Sequence, residues 1–391
     1  MQDKLFLGKP TASLLHYDRP QPPQTPLAAY VLEVLPAELE RASKGETTLS
    51  QLAHAQQGLL KGERERILAI VDAHTARETQ LDLLMLLGGY LMVKDQAFTM
   101  APQLLLELLE ENAARHNLSR RLTYELIVDA NTEAFVRTSG QIRTFSGGAV
   151  QRIERDFYIG HHFAETFMRD AYETVRDVLQ APTQPDKLVA FDRALQSIQQ
   201  FTLYMSAFAR LPHAEYGYFR QFLVPYPDKV KNASGAFMPS PQLFELLLQK
   251  PGYAQTEYLW NNAPYFSHWA QPVLEQQQAL SLAGQNFEDM VASGELFFTA
   301  AELLAFSAIV EQFIRFKLVH IKIASSKIPQ AFPECPVVRR TELAHFSPLR
   351  KPTRTGEGAQ QGTGGFPPQD FLGDGVRRLL DLQKRLRLST S

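Results

Sequence analysis

The chain has 391 residues, 45% hydrophobic and 21% charged, with a formal net charge of -2. That composition suits a globular protein with a large core and room for two domains, and its charge balance argues against a polyanion or a membrane surface as the partner of the whole chain. The one cysteine, Cys335, excludes an intrachain disulfide framework and any metal site built on several thiolates.

The first residues lack a charged-then-apolar leader pattern, and no apolar run reaches the roughly 18 residues of a membrane span. A cytoplasmic protein is expected, a monomer or homodimer, with neither nucleic acid nor membrane as partner. "RPQPPQTP", 19–26, is a proline-rich, extended lead-in. From about Ala28 onward "ETQLDLLMLLGGYLMV", "APQLLLELLEENAARH", "GHHFAETFMRDAYETVRDVLQ" and "DKLVAFDRALQSIQQFTLYMSAFA" follow one another. They are rich in Leu, Met, Ala and Glu and poor in β-branched residues, so each predicts a helix, and period-two alternation is scarce. The fold class expected is all-α. The glycine and serine residues of "TSGQIRTFSGG", 138–148, predict a boundary between a small N-terminal helical domain, 1–140, and a large helical domain, 141–391. A long irregular stretch, 329–368, carries Arg339, Arg340, Arg350, Lys351 and Arg354, which read best as a solvated loop, then "GEGAQQGTGGFPP"; a last helix over about 369–386 follows. Loops of that length are functional or disordered more often than not.

"FIRFKLVHIKIASSKIP", 313–329, ends the longest expected helix. Thr299 followed by Glu302 is a capping-box pattern that starts it, and Pro329 is expected to stop it. At 100° per residue Phe306, Ile309, Phe313, Phe316 and Ala324 share the face of His320, and Glu311 and Lys322 lie opposite. An imidazole on a phenylalanine-lined face is either an ordinary core histidine or the axial ligand of a haem iron. Lys317, one turn earlier, could reach a haem propionate. "QGTGGF", 361–366, is neither a P-loop nor a dinucleotide turn, and reads as backbone able to approach a ligand closely.

Together, "KLVHIKIASSKIP", the "GTGG" loop and the final amphipathic helix resemble the C-terminal part of the indoleamine 2,3-dioxygenases. The resemblance implies a haem b cofactor whose iron is held by His320, with Phe313, Lys317, Gly362 and Thr363 around the haem and Lys317 on a propionate. It implies that Gly364 and Gly365 close over the distal pocket. "AEYGYFRQFLVPY", 214–226, resembles the segment whose arginine binds the substrate carboxylate, here Arg220. "NASGAFMPSPQLFELLL", 232–248, takes the place of a small-residue turn at the haem edge, with Ser234 in it. "GHHFAETFMRDAYETV" matches in position the helix that supplies distal side chains, giving His161, His162 and Glu165 toward the open side of the iron; adjacent helical residues point 100° apart, so one histidine of the two is expected inward. The family has phenylalanines and a serine where this chain has His161, His162 and Glu165. That departure argues against a true indoleamine dioxygenase, and the overall length and the stretch "SGAFMPSPQ" incline the resemblance toward the branch that rearranges chlorotryptophan in pyrrolnitrin biosynthesis. The implied activity is a haem-dependent oxygenase acting on tryptophan or a related indole with O2. A haem binder without turnover (a sensor or carrier) and a haem-free helical scaffold are the alternatives. The first 140 residues add nothing to the resemblance.

Overall fold

The computed structural model describes residues 25–135, 141–181, 186–223, 226, 232–233, 235–266, 269–334 and 368–388. Among them every regular element is helical and no strand occurs, so the protein is all-α. The α-helices of six or more residues are α1 (Leu35–Ser43), α2 (Leu49–Leu68), α3 (Ala73–Gly88), α4 (Gln103–His116), α5 (Gly148–Gln180), α6 (Lys187–Ala207), α7 (His213–Arg220), α8 (Pro239–Leu248), α9 (Tyr253–Asn262), α10 (Ala270–Leu282), α11 (Phe287–Ala292), α12 (Ala300–Glu334) and α13 (Pro368–Leu388). Among the described residues no helix is long and apolar enough to cross a membrane.

The helix starts follow local chemistry. Thr48 and Gln51 form a reciprocal capping box at α2, and Asp72 accepts from the Thr75 backbone at α3. The box expected at α12 is present: the Thr299 amide donates to Glu302, and the Glu302 amide donates to the Thr299 hydroxyl. The expected stop at Pro329 is not observed. α12 continues to Glu334: an interior proline loses one N–H bond and crowds the carbonyl four residues back, a cost that disfavours continuation of the helix without forbidding it.

The chain divides into two compact units, each discontinuous in sequence. The first comprises Met1–Ile159, Leu211–Ser234 and Ile328–Leu349; the second comprises Gly160–Arg210, Gly235–Lys327 and Arg350–Ser391. The glycine-serine stretch near 141–148 thus lies inside the first unit.

In the first unit α3 is the central element, buried from Thr79 to Gly88. Asn112 of α4 donates to the Ala76 carbonyl and to Gln80. The segment before α5 is pinned by Arg143, whose guanidinium holds the Asp82 carboxylate at both ends and whose own peptide groups are bracketed by the Asn131 amide. Gly88 is required there, since a Cβ would fall 2.7 Å from the Phe145 ring.

In the second unit a phenylalanine core joins the helices. Phe306 of α12 stacks on Phe287 at 3.6 Å, Phe316 meets Phe201 at 4.4 Å and Phe313 meets Phe244 at 5.0 Å. α13 buries Val376, Leu379, Leu382 and Leu386, spaced by three and four residues as an amphipathic helix requires. Its basic side is tied down too: Arg378 donates to the Lys250 carbonyl, and Arg385 and Arg387 pair with Glu288 and Glu311.

Candidate functional site

Two places hold the residues of interest, one in each unit. In the second unit His320 lies on α12 one turn beyond Phe316, ring to ring at 5.7 Å. The expected apolar face is real: Phe306, Ile309, Phe313 and Phe316 are all buried, and Lys322 is exposed. His320 itself is half-buried. Burial, with a smaller contribution from the Lys317 charge, lowers its pKa to about 4. The imidazole is therefore neutral at physiological pH and keeps a lone pair to offer, the form in which histidine ligates metals.

Lys317 is not at an open rim. It is 3% exposed, and its ammonium lies 2.5 Å from the carboxylate of Glu245 on α8, itself 2% exposed. Gly375 of α13 closes over this ion pair, so tightly that a Cβ there would sit 2.6 Å from Lys317 Nζ and 2.7 Å from Glu245 Oε1. Phe313 is fully buried between Phe244 and Phe316. The sequence holds a signal for Glu245: it is a lone carboxylate inside the apolar run "LFELLL", and buried charges are rare unless paired.

Of the two adjacent histidines, His161 is the inward one, 4% exposed, while His162 is half-buried. The His161 ring stacks on Phe208 at 4.1 Å and 12°. Its Nε2 faces Gly235, where an added Cβ would come within 3.2 Å. Glu165, one turn on, is buried and accepts from both the amide and the hydroxyl of Ser240 at the start of α8. Ser234, Gly362, Thr363, Gly364 and Gly365 lie outside the described residues.

The first unit holds Arg220, the last residue of α7, 5% exposed. Among the described residues it makes no hydrogen bond and no ion pair; its guanidinium carbon lies 6.0 Å from the Tyr216 ring. Burying an ion without a partner costs several kcal/mol. An aromatic face returns about 0.5–2 kcal/mol and a helix C-terminus about 0.3–1 kcal/mol. Among the described residues these are the compensations present, so the cation is suited to an anionic partner beyond them.

Around Arg220, α7 packs on α5 through Phe157, Tyr216 and Phe219, with ring centroids 5.3 to 5.8 Å apart. Tyr158 meets Phe219 at 6.5 Å and donates its hydroxyl to Glu154 at 2.7 Å. Glu154 also accepts from the Phe145 amide and from the amide and hydroxyl of Ser146. Four donors fill the four lone-pair positions of an ionised carboxylate. Burial nevertheless pushes the Glu154 carboxyl up, the hydrogen bonds opposing it. Burial likewise raises the Tyr158 phenol, helped by Glu154 and opposed by the charge of Arg220. Glu154 and Tyr158 had a signal in the sequence: they sit four residues apart on the same face of α5 as His161 and Glu165.

No family model matches the chain, and no curated protein is similar enough to it to count as a relative.

Proposed function

We propose that the protein is a haem-dependent oxygenase acting on tryptophan or a related indole compound, with His320 as the ligand of the haem iron. The observation that carries this reading is the placement of the His320 imidazole beside the ring of Phe316, on a helix face lined by buried phenylalanines and Ile309. The donor fits a haem iron, which takes one strong neutral nitrogen and buries its ring among apolar side chains. Lys317 fits a propionate less well than the family resemblance implies, since Glu245 already neutralises it.

Haem, when bound, supplies the oxygen chemistry. The side chains do the rest. His320 would hold the cofactor through its imidazole nitrogen. Arg220 offers a fixed planar fork to a carboxylate, which sets the orientation of the substrate's ring.

The test is direct. The chain is expressed with a haem precursor and its optical spectrum recorded; L-tryptophan is then added to the reduced, aerated protein and absorbance of an N-formylkynurenine type followed. A Soret band with product supports the oxygenase. A Soret band without product for any indole tried leaves a haem binder, and no Soret band at full haem supply refutes both. Arg220→Ala should weaken a carboxylate-bearing indole by about 2–5 kcal/mol, the range for truncating one partner of a buried charge pair, and tryptamine far less. Equal losses for the two ligands would make Arg220 a support of the fold.

A further inference from the structure

We infer that Tyr158, oriented by Glu154, is a second recognition residue beside Arg220, accepting a hydrogen bond from the ammonium group of an α-amino acid ligand. The inference rests on the reading of Arg220 as a carboxylate clamp and extends it to the other charge of the ligand.

Two independent observations carry it. Arg220 is buried yet has no anion among the described residues. Tyr158 is fully buried, and its only hydrogen bond among the described residues is the one it donates to Glu154. A phenol has one proton to give and two lone pairs to receive with. Glu154 takes the proton, so what Tyr158 presents to its surroundings is an acceptor oxygen. Behind that oxygen stands a carboxylate already saturated by Ser146, Phe145 and Tyr158 itself. Among the described residues the two groups thus lack a complementary partner and are of opposite character: a cationic donor fork and an acceptor polarised by a negative charge. The Tyr158 ring lies 6.5 Å from that of Phe219, the residue before Arg220, and Phe219 in turn meets Tyr216, over whose ring the Arg220 guanidinium sits, so the groups share one neighbourhood. A carboxylate alone satisfies the first group and leaves the second empty; an amine alone does the reverse. An α-amino acid carries both groups one carbon apart. Phe157, Tyr216 and Phe219 supply the apolar, aromatic surroundings that an indole-bearing ligand would meet. Glu154 touches no ligand in this scheme; it is a positioning residue.

The experiment measures binding of three probes to the full chain by calorimetry: L-tryptophan, indole-3-propionate, which keeps only the acid, and tryptamine, which keeps only the amine. Arg220→Gln should weaken L-tryptophan and indole-3-propionate and spare tryptamine. Tyr158→Phe should weaken L-tryptophan and tryptamine by roughly ten- to a hundredfold, the range for a hydrogen bond to a charged group, and spare indole-3-propionate. Glu154→Gln is the second arm and should follow the Tyr158→Phe pattern. A structural role would weaken all three probes together, so the acid-to-amine ratio is the decisive readout. If Arg220→Gln spares indole-3-propionate, the carboxylate clamp itself is wrong. If Arg220→Gln behaves as stated but both other variants leave L-tryptophan unchanged, or weaken all probes equally, the role of Tyr158 is refuted with the clamp intact. Failure of all three probes to bind the wild-type chain overturns both.

Discussion

Glu245→Gln should be among the most damaging single substitutions in the second unit. The side chains of Glu245 and Lys317 are 3% and 4% exposed, the carboxylate is the ammonium's only hydrogen-bonding partner among the described residues, and the backbone at Gly375 seals the pair. Removing the negative charge leaves a buried ammonium whose remaining support is the Phe313 ring at 5.6 Å. Truncating one member of such a pair costs about 3–5 kcal/mol, whereas replacing both members by apolar groups of similar volume is often neutral or stabilising. Glu245→Gln and Lys317→Met should each destabilise by that amount, and Glu245→Leu combined with Lys317→Met should be less destabilised than either. Both tryptophans of the chain, Trp260 and Trp269, belong to the second unit. Urea unfolding followed by their fluorescence therefore reports the relevant transition. Single substitutions that cost under about 1 kcal/mol, as an exposed pair would, or a double variant that loses the sum of the two, would refute the reasoning.

Gly375→Ala should lower the stability of the second unit by about 1–3 kcal/mol, the usual cost of overpacking, because its methyl group has no room beside Lys317 and Glu245; the same fluorescence measurement checks it, and an unchanged urea midpoint would contradict it. The haem-free chain should become less stable as the pH falls from about 6.5 toward 4. His320 has its pKa lowered to about 4 in the fold, so across that interval the unfolded chain binds the proton and the folded one does not, and stability drains away as pH falls. The whole effect is at most about 3 kcal/mol, and His320→Gln should flatten that part of the pH profile.

Much of the fold was legible because it is written locally. The Leu- and Ala-rich runs, the Thr299–Glu302 box and the alternating spacing along α12 each depend on neighbours within a turn or two, and all are present in the structure. The end of α12 was less so, because a proline sets a cost for helix continuation and does not forbid it. The site was legible only in part. Periodicity put His320 on the apolar face, and the 100° step between His161 and His162 implied that one of them turns inward; which one depends on what stacks against it, and Phe208 is 47 positions away. The burial of Lys317 against a carboxylate is not legible for the same reason: its partner Glu245 lies 72 positions off, on another helix. The Glu154–Tyr158 pair is spaced for one helix face, but that its hydroxyl points to its carboxylate is a matter of packing around Ser146 and Phe145. Local rules determine which side chains turn inward; long-range packing determines whom they meet.

The haem content of the wild-type chain and of His320→Ala, both expressed with excess haem precursor, tests the central claim most directly. The account predicts a Soret band in the wild type and its loss in the variant, with far-UV circular dichroism little changed because alanine is the best helix former and Phe306, Ile309, Phe313 and Phe316 still hold α12 in the core. Added imidazole should restore part of the band. A variant that keeps the wild-type haem content and spectrum would contradict it and move the ligand elsewhere, to His268 or His345, both outside the described residues; so would a wild-type chain that takes up no haem at all.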